Sequence, residues 1–234
     1  MAENADLINK FTSAVSRLGT KVFLADTPAD AVNYIVSLVR DKDIKTVVKA
    51  NSSIAVKLAL NDMLDGCGVR VTDTSIVQWT LQLLKGKDVP ADQVAALISS
   101  ATGQKVGTEP SEMLKAARKA LKEAYVNADL GITEADFAIA ETGSLITLEN
   151  EGNARLAAAL PRIHLTLLDA SCVVANLAAA AEKIKGTSAG IPGHKVSTFI
   201  THLSKRNTTG NIPGTFPARA QGPAEELILL VNFH

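Results

Sequence analysis

The residue types best suited to chemistry in this chain gather in one stretch, Gly131 to Leu168, reading GITEADFAIAETGSLITLENEGNARLAAALPRIHLTLL. Glu141 ends an apolar alternation at Phe137 and Ile139 and is followed at once by Thr142, Gly143 and Ser144. A carboxylate inside a strand buried on both faces would carry a heavy desolvation cost. Glu141 is therefore expected where the strand leaves the core, and in open α/β sheets ligands bind outside the carboxyl ends of strands. Gly143 permits a tight reversal, and the hydroxyls of Thr142 and Ser144 can donate to an anion. Asn150, Gly152, Asn153 and Arg155 then supply amides, flexible backbone and a guanidinium suited to bidentate binding of carboxylate or phosphate. The same residue types also suit a structural ion pair between Glu141 and Arg155 beside ordinary turns. Both readings stay open on these residues alone.

Elements must hold these groups in place. Leu7, Ile8, Phe11, Val15 and Leu18 recur at helical spacing up to Gly19, and Val22 to Leu24 suit a short strand. Thr27 caps a second helix with Pro28 at its first position and Ala31, Ile35, Leu38 and Val39 on its inner face. The β-branched run Thr46 to Val48 predicts a buried strand ending in Lys49. A helix through about Leu64 follows, then a strand from Val69 to Val71 that ends at Asp73. This alternation predicts parallel strands between helical layers, with right-handed crossovers carrying the strand ends to one side. Lys49, Asp73 and Glu141 are expected to share that edge. Residues 75–128 read as helical, an insertion or lid in a single domain: Pro90 opens and Gly103 closes one part. Thr108 with Pro110 starts another, striped by Leu114, Ala117, Leu121, Ala124 and Ala128. Further strands are expected at Ile163 to Leu168 and Leu227 to Val231, a helix at 173–185, and loops at 186–194 and 206–223. His164, a lone imidazole in a buried strand, suits a hydrogen-bonded core residue better than a base.

Composition narrows the function classes. Lysines plus arginines and aspartates plus glutamates number 24 each, and aromatics are 4% of the chain, so nothing favours nucleic acid. No run of about 18 apolar residues offers a membrane span. The start, MAENADLINKF, lacks the basic-then-apolar pattern of a secretory signal, so a cytoplasmic protein is expected. Cys67 and Cys172 are expected as small buried hydrophobes, and Trp79 as core or lid packing. No zinc spacing or glycine-rich nucleotide fingerprint occurs, and His194 and His202 have no identifiable metal partners.

GITEADFAIAETGSL, NEGNARL and LPRIHL, with VVKANSS at 47–53 and GPAEELILL at 222–230, resemble the signature blocks of the LUD (lactate utilisation) domain family. That family includes the B and C subunits of the bacterial lactate utilisation complex. The resemblance implies an α/β fold of three layers, a mainly parallel sheet with helices on both faces, similar to the NagB/RpiA/CoA-transferase group. It turns Lys49 from a solvated strand-end lysine into a ligand for a small carboxylate or phosphorylated metabolite, together with Arg155. It adds Ser52, Asn153 and His164 to the site, with Glu141, Thr142, Gly143 and Ser144 serving orientation or proton transfer. Iron–sulfur clusters are expected in partner subunits and no cofactor in this chain, since a cluster needs about four thiolates. B subunits carry a cysteine-rich extension, so the chain is expected to be closer to the C subunit, or to the LUD domain of B without that extension. A CoA transferase or sugar-phosphate isomerase using Glu141, and a non-catalytic ligand-binding subunit, are the alternatives; a homo-oligomer is compatible with each. Where B subunits typically have two glutamates this chain has Val56 and Lys57. Asn211, Pro213 and Gln221 stand for the aspartate, glutamate and histidine of the C subunits.

Overall fold

Local signals fix the helices of the N-terminal half. The computed structural model describes residues 2–74, 80, 90–103, 105–148, 153–188, 198–201 and 223–233. In chain order, α1 (Ala2–Arg17) is followed by β1 (Lys21–Ala25), α2 (Pro28–Asp41), β2 (Thr46–Lys49), α3 (Ser53–Lys57), α4 (Leu60–Gly66) and β3 (Arg70–Asp73). Next come α5 (Ala91–Thr102), α6 (Pro110–Asn127), β4 (Leu130–Glu134), β5 (Phe137–Ile139), β6 (Ser144–Leu148) and α7 (Asn153–Ala159). Strand β7 (Ile163–Asp169) leads through a 3-10 turn to β8 (Val173–Val174), α8 (Leu177–Ser188), β9 (Thr198–Thr201) and β10 (Glu225–Val231). Thr27 and Asp30 close a capping box on α2 with Pro28 in its first turn, as the sequence predicts. Gly103 ends α5 at φ +67°, a conformation that costs glycine little.

Six strands pair in the order β1-β10-β7-β4-β2-β3, every pair parallel. One face is covered by α2, α3 and α4, whose Ile35, Leu38, Ile54, Leu60 and Leu64 pack on Val47, Ile132 and Leu165. The other face has two covers. Over β2, Val48 packs with Ile98 of α5, Met113 and Leu121 of α6, and Ala157 of α7. Over β10, Ile228 and Leu230 pack with Phe11 and Val15 of α1 and with Ala138 and Leu145 of the smaller sheet. The predicted three layers are therefore present. The described part of the 75–128 segment belongs to one of them; Trp79 lies outside the described residues.

Gly131 marks a close approach between layers: a Cβ built on it would lie 1.8 Å from the Ala157 carbonyl oxygen. Only a residue without a side chain lets α7 lie that near β4.

Three expectations need correction. The single helix through Leu64 is two, because Ala59 adopts φ 47° and breaks it. The helix expected from 173 starts at Leu177, because Val173 and Val174 pair with β5 instead. Phe137 to Ile139 is buried as expected, but it belongs to a second, four-stranded sheet of order β8-β5-β6-β9. No helix among the described residues is long and apolar enough to cross a membrane.

Candidate functional site at the carboxyl edge of the central sheet

Register partners on neighbouring strands project to the same face, and Lys49 is the partner of both Asp73 on β3 and Ile132 on β4. The Lys49 ammonium therefore meets the Asp73 carboxylate, at 2.7 Å, where both strands end. The lysine side chain is only 4% exposed and the aspartate 28%, so the cation is held almost wholly inside while its partner is partly exposed. An ammonium has three donors, and the bond to Asp73 uses one. Thr74, the residue after Asp73, is buried, and its carbonyl accepts from Asn153 Nδ2 at 3.5 Å. The Tyr125 hydroxyl donates to Asn153 Oδ1 at 3.4 Å. The first residue of α7 is thus fixed beside the end of β3, and Arg155 stands exposed on the same helix.

Sequence reasoning missed a second carboxylate at this edge. Glu134 ends β4, two residues beyond Ile132, on the face that carries Lys49. It accepts from Ser52 Oγ at 2.5 Å, Ser53 Oγ at 2.8 Å and the Ile54 amide at 2.9 Å. Ser52 itself caps α3 through the Ala55 amide at 2.9 Å. Its hydroxyl thus holds α3 to β4 at the rim of the lysine site. The signal was available: Leu130, Ile132 and Glu134 repeat the alternation that singled out Glu141.

Glu141 itself lies elsewhere, a correction to the shared edge expected above. After Glu134 the chain leaves the central sheet, and the turn joining β5 to β6 carries Glu141 against α1. There Glu141 is exposed in a hollow of about 390 Å³ with Asn9, Lys10, Ser13 and Arg17. The turn is rigid. Thr142 Oγ1 donates to Ser144 Oγ at 2.8 Å, the Gly143 amide donates to the Ile139 carbonyl at 2.9 Å, and Ser144 is buried. Gly143 has φ +75°, and a Cβ there would lie 2.9 Å from Val15 Cγ1.

Gly143→Ala is expected to cost about 1–3 kcal/mol, the left-handed backbone plus a contact with α1 that Val15 must yield to. Gly103 shares the positive φ but faces open space, so Gly103→Ala should cost only the backbone part, about 1 kcal/mol. Urea unfolding of the two variants measures the difference.

His164 is enclosed on the opposite face of β7. Its Nε2 lies 2.9 Å from Thr133 Oγ1 and 3.4 Å from Thr166 Oγ1, and burial pushes its pKa down to about 4. That is the hydrogen-bonded core imidazole, neutral at ordinary pH. Cys67 corrects the buried-thiol expectation: it caps α4 between two glycines and is exposed, while Cys172 is half-buried.

The sequence model of the LUD domain matches residues 8–231. This chain belongs to the LUD domain family. Lactate utilization protein B of Geobacillus sp. (strain WCH70) is 31% identical to it over 91% of this chain and 47% of that protein. The protein of the same name from Bacillus velezensis is 28% identical over 98% of this chain and 49% of that protein. The chain spans about half the length of the curated relatives it matches. A crystal structure of a DUF162 family protein from Deinococcus radiodurans superposes with TM-score 0.53 at 11% identity, covering 97% of this chain and 98% of that one, which supports the fold.

The LUD blocks fall partly on the elements that build the edge and partly on the smaller sheet. VVKANSS is β2 and its turn into α3, GITEADFAIAETGSL runs from β4 to β6, NEGNARL opens α7 and LPRIHL opens β7. Of the departures from the B and C patterns, Val56 is 76% exposed on α3 and the Lys57 ammonium stands 4.6 Å over the Phe233 ring. Asn211, Pro213 and Gln221 lie outside the described residues, as do Asn150, Gly152, His194 and His202.

Proposed function

We propose that this LUD domain is a subunit of a cytoplasmic L-lactate oxidation system and binds a small hydroxy- or keto-carboxylate where β2 and β3 end. The observation that carries the reading is the Lys49 ammonium, almost wholly buried yet paired at 2.7 Å with a partly exposed carboxylate at the strand ends. A cation fixed in a dry wall attracts an anion more strongly than one on a solvated surface. The ligand carboxylate would take the remaining donors of Lys49, with Asn153 and Arg155 of α7 closing on its other side.

Oxidising a hydroxy acid removes a hydride equivalent, and protein side chains provide no acceptor for it. An iron–sulfur cluster does not fit the thiols of this chain. Two cysteines, one exposed after α4 and one half-buried after β7, are fewer than the four or so that a cluster takes. The electrons would therefore pass to a partner subunit, and this chain would bind and orient the acid.

Omitting the chain from the reconstituted system is expected to stop lactate-dependent reduction of the electron acceptor. Unchanged reduction would contradict the reading.

A second reading is favoured by one observation, the exposure of Glu141 beside Lys10 and Arg17. There Glu141 would serve as nucleophile or base in transfer of CoA between acids or in sugar-phosphate isomerisation. Glu141→Gln separates the two. Lactate-dependent reduction should survive it under the first reading, whereas acid-dependent CoA exchange by the isolated chain should vanish under the second.

A further inference from the structure

Among the described residues the central sheet ends at β1, and this edge is apolar on both faces. Phe23 and Leu24 are 36% and 47% exposed. The Phe23 ring stacks on Tyr34 of α2 with centroids 4.3 Å apart, which holds it beside the strand and joins helix and edge into one surface. A hollow of about 460 Å³ runs along it, lined by Phe23, Leu24, Asp26, Asp30, Asn33 and Tyr34. An edge strand carries backbone donors and acceptors that another strand can pair with, and a long apolar edge invites that pairing.

The charges around β1 indicate which strand fits. Lys21 stands at its start, where it shares Glu225 with Lys42, and Glu226 accepts from Thr20 beside it. The Lys21 side chain is 71% exposed, so its ammonium also faces outward. Asp26 follows the last residue of the strand, and Asp30 lies in the first turn of α2. An antiparallel copy of β1, related by a two-fold axis at Phe23, sets Phe23 against Phe23, Val22 against Leu24 and Lys21 against Ala25. The exposed Lys21 of each copy then lies toward Asp26 of the other. A parallel copy would set like charge against like.

We propose that β1 is a homodimer interface, pairing antiparallel with β1 of a second copy about Phe23 and joining the two central sheets edge to edge. Such an interface is isologous, each patch meeting itself. It rests on one strand of five residues and the adjoining α2, so it is smaller than a standard interface and the dimer forms in a concentration-dependent way.

Sedimentation of the full chain across micromolar to near-millimolar concentrations is expected to show reversible doubling of mass. Leu24→Lys, a change at an exposed position that places two like charges close to the axis, should weaken the dimer at least about tenfold while leaving the thermal unfolding transition in place. In a chain with Cys67 and Cys172 replaced by serine, Phe23→Cys should give a disulfide-linked dimer on mild oxidation, because opposed residues of antiparallel strands lie within disulfide reach. Lys21→Cys, whose copies sit apart in this register, should not. A wild-type chain that stays monomeric throughout would overturn the proposal. So would a dimer indifferent to Leu24→Lys, or one trapped through position 21 and not 23.

Discussion

Gly131→Ala is expected to leave little folded protein at 37 °C, with a loss of about 3 kcal/mol or more, beyond the usual range for an overpacked site. The added Cβ would sit 1.8 Å from the Ala157 carbonyl oxygen and 3.0 Å from the Pro161 ring. Neither is the far end of a flexible side chain, so α7 as a whole must move off β4. Alanine gains only about 0.4–1 kcal/mol from a less disordered unfolded chain, which does not offset the collision. The retreat of α7 would also draw Asn153 away from Thr74 at the end of β3. Denaturant melts should show a large fall in midpoint. A variant as stable as the wild type would mean that α7 does not pack on β4 as described.

The second large effect is in acid. His164 has a pKa of about 4 in the folded protein because burial disfavours its charged form, against 6.5 when unfolded. Between those values the unfolded chain binds a proton that the folded chain refuses, so stability falls as pH drops from 6.5 toward 4. Each pH unit removes about 1.4 kcal/mol, about 3 kcal/mol across the window. Burial lifts the pKa of Asp136 and Glu226, and those carboxylates act in the opposite direction, adding stability on acidification. His164→Gln keeps a polar partner for Thr133 and cannot charge, so the difference between its stability curve and that of the wild type isolates the imidazole. From pH 7 to 4 the wild type should lose about 3 kcal/mol of stability relative to His164→Gln. Parallel curves would show that His164 is reached by water.

What the sequence made legible was local. Thr27, Pro28 and Asp30 form a cap within one turn, and the β-branched run before Lys49 forms a strand whatever its neighbours. The cation leaving the sheet at Lys49, and its sharing an edge with Asp73, followed from strand alternation alone. Pairing across long separations was not legible. β6 takes β9 as its second partner, more than fifty residues on, so a short buried run such as Phe137 to Ile139 does not reveal which sheet it joins. Ala59 breaks a helix at φ 47° without the glycine that would have announced it. Glu141 and Glu134 end similar apolar runs, yet only the chain's departure from the central sheet after Glu134 separates their surroundings.

Lys49 is the proposed anchor of the small-carboxylate site. The most direct test is calorimetric titration of L-lactate and of pyruvate into the wild-type chain and into Lys49→Met, with Glu141→Gln as the control at the distant turn. Saturable binding by the wild type and by Glu141→Gln, weakened at least about tenfold in a folded Lys49→Met, is the predicted result. Binding that Lys49→Met leaves intact, or that Glu141→Gln removes, would contradict it.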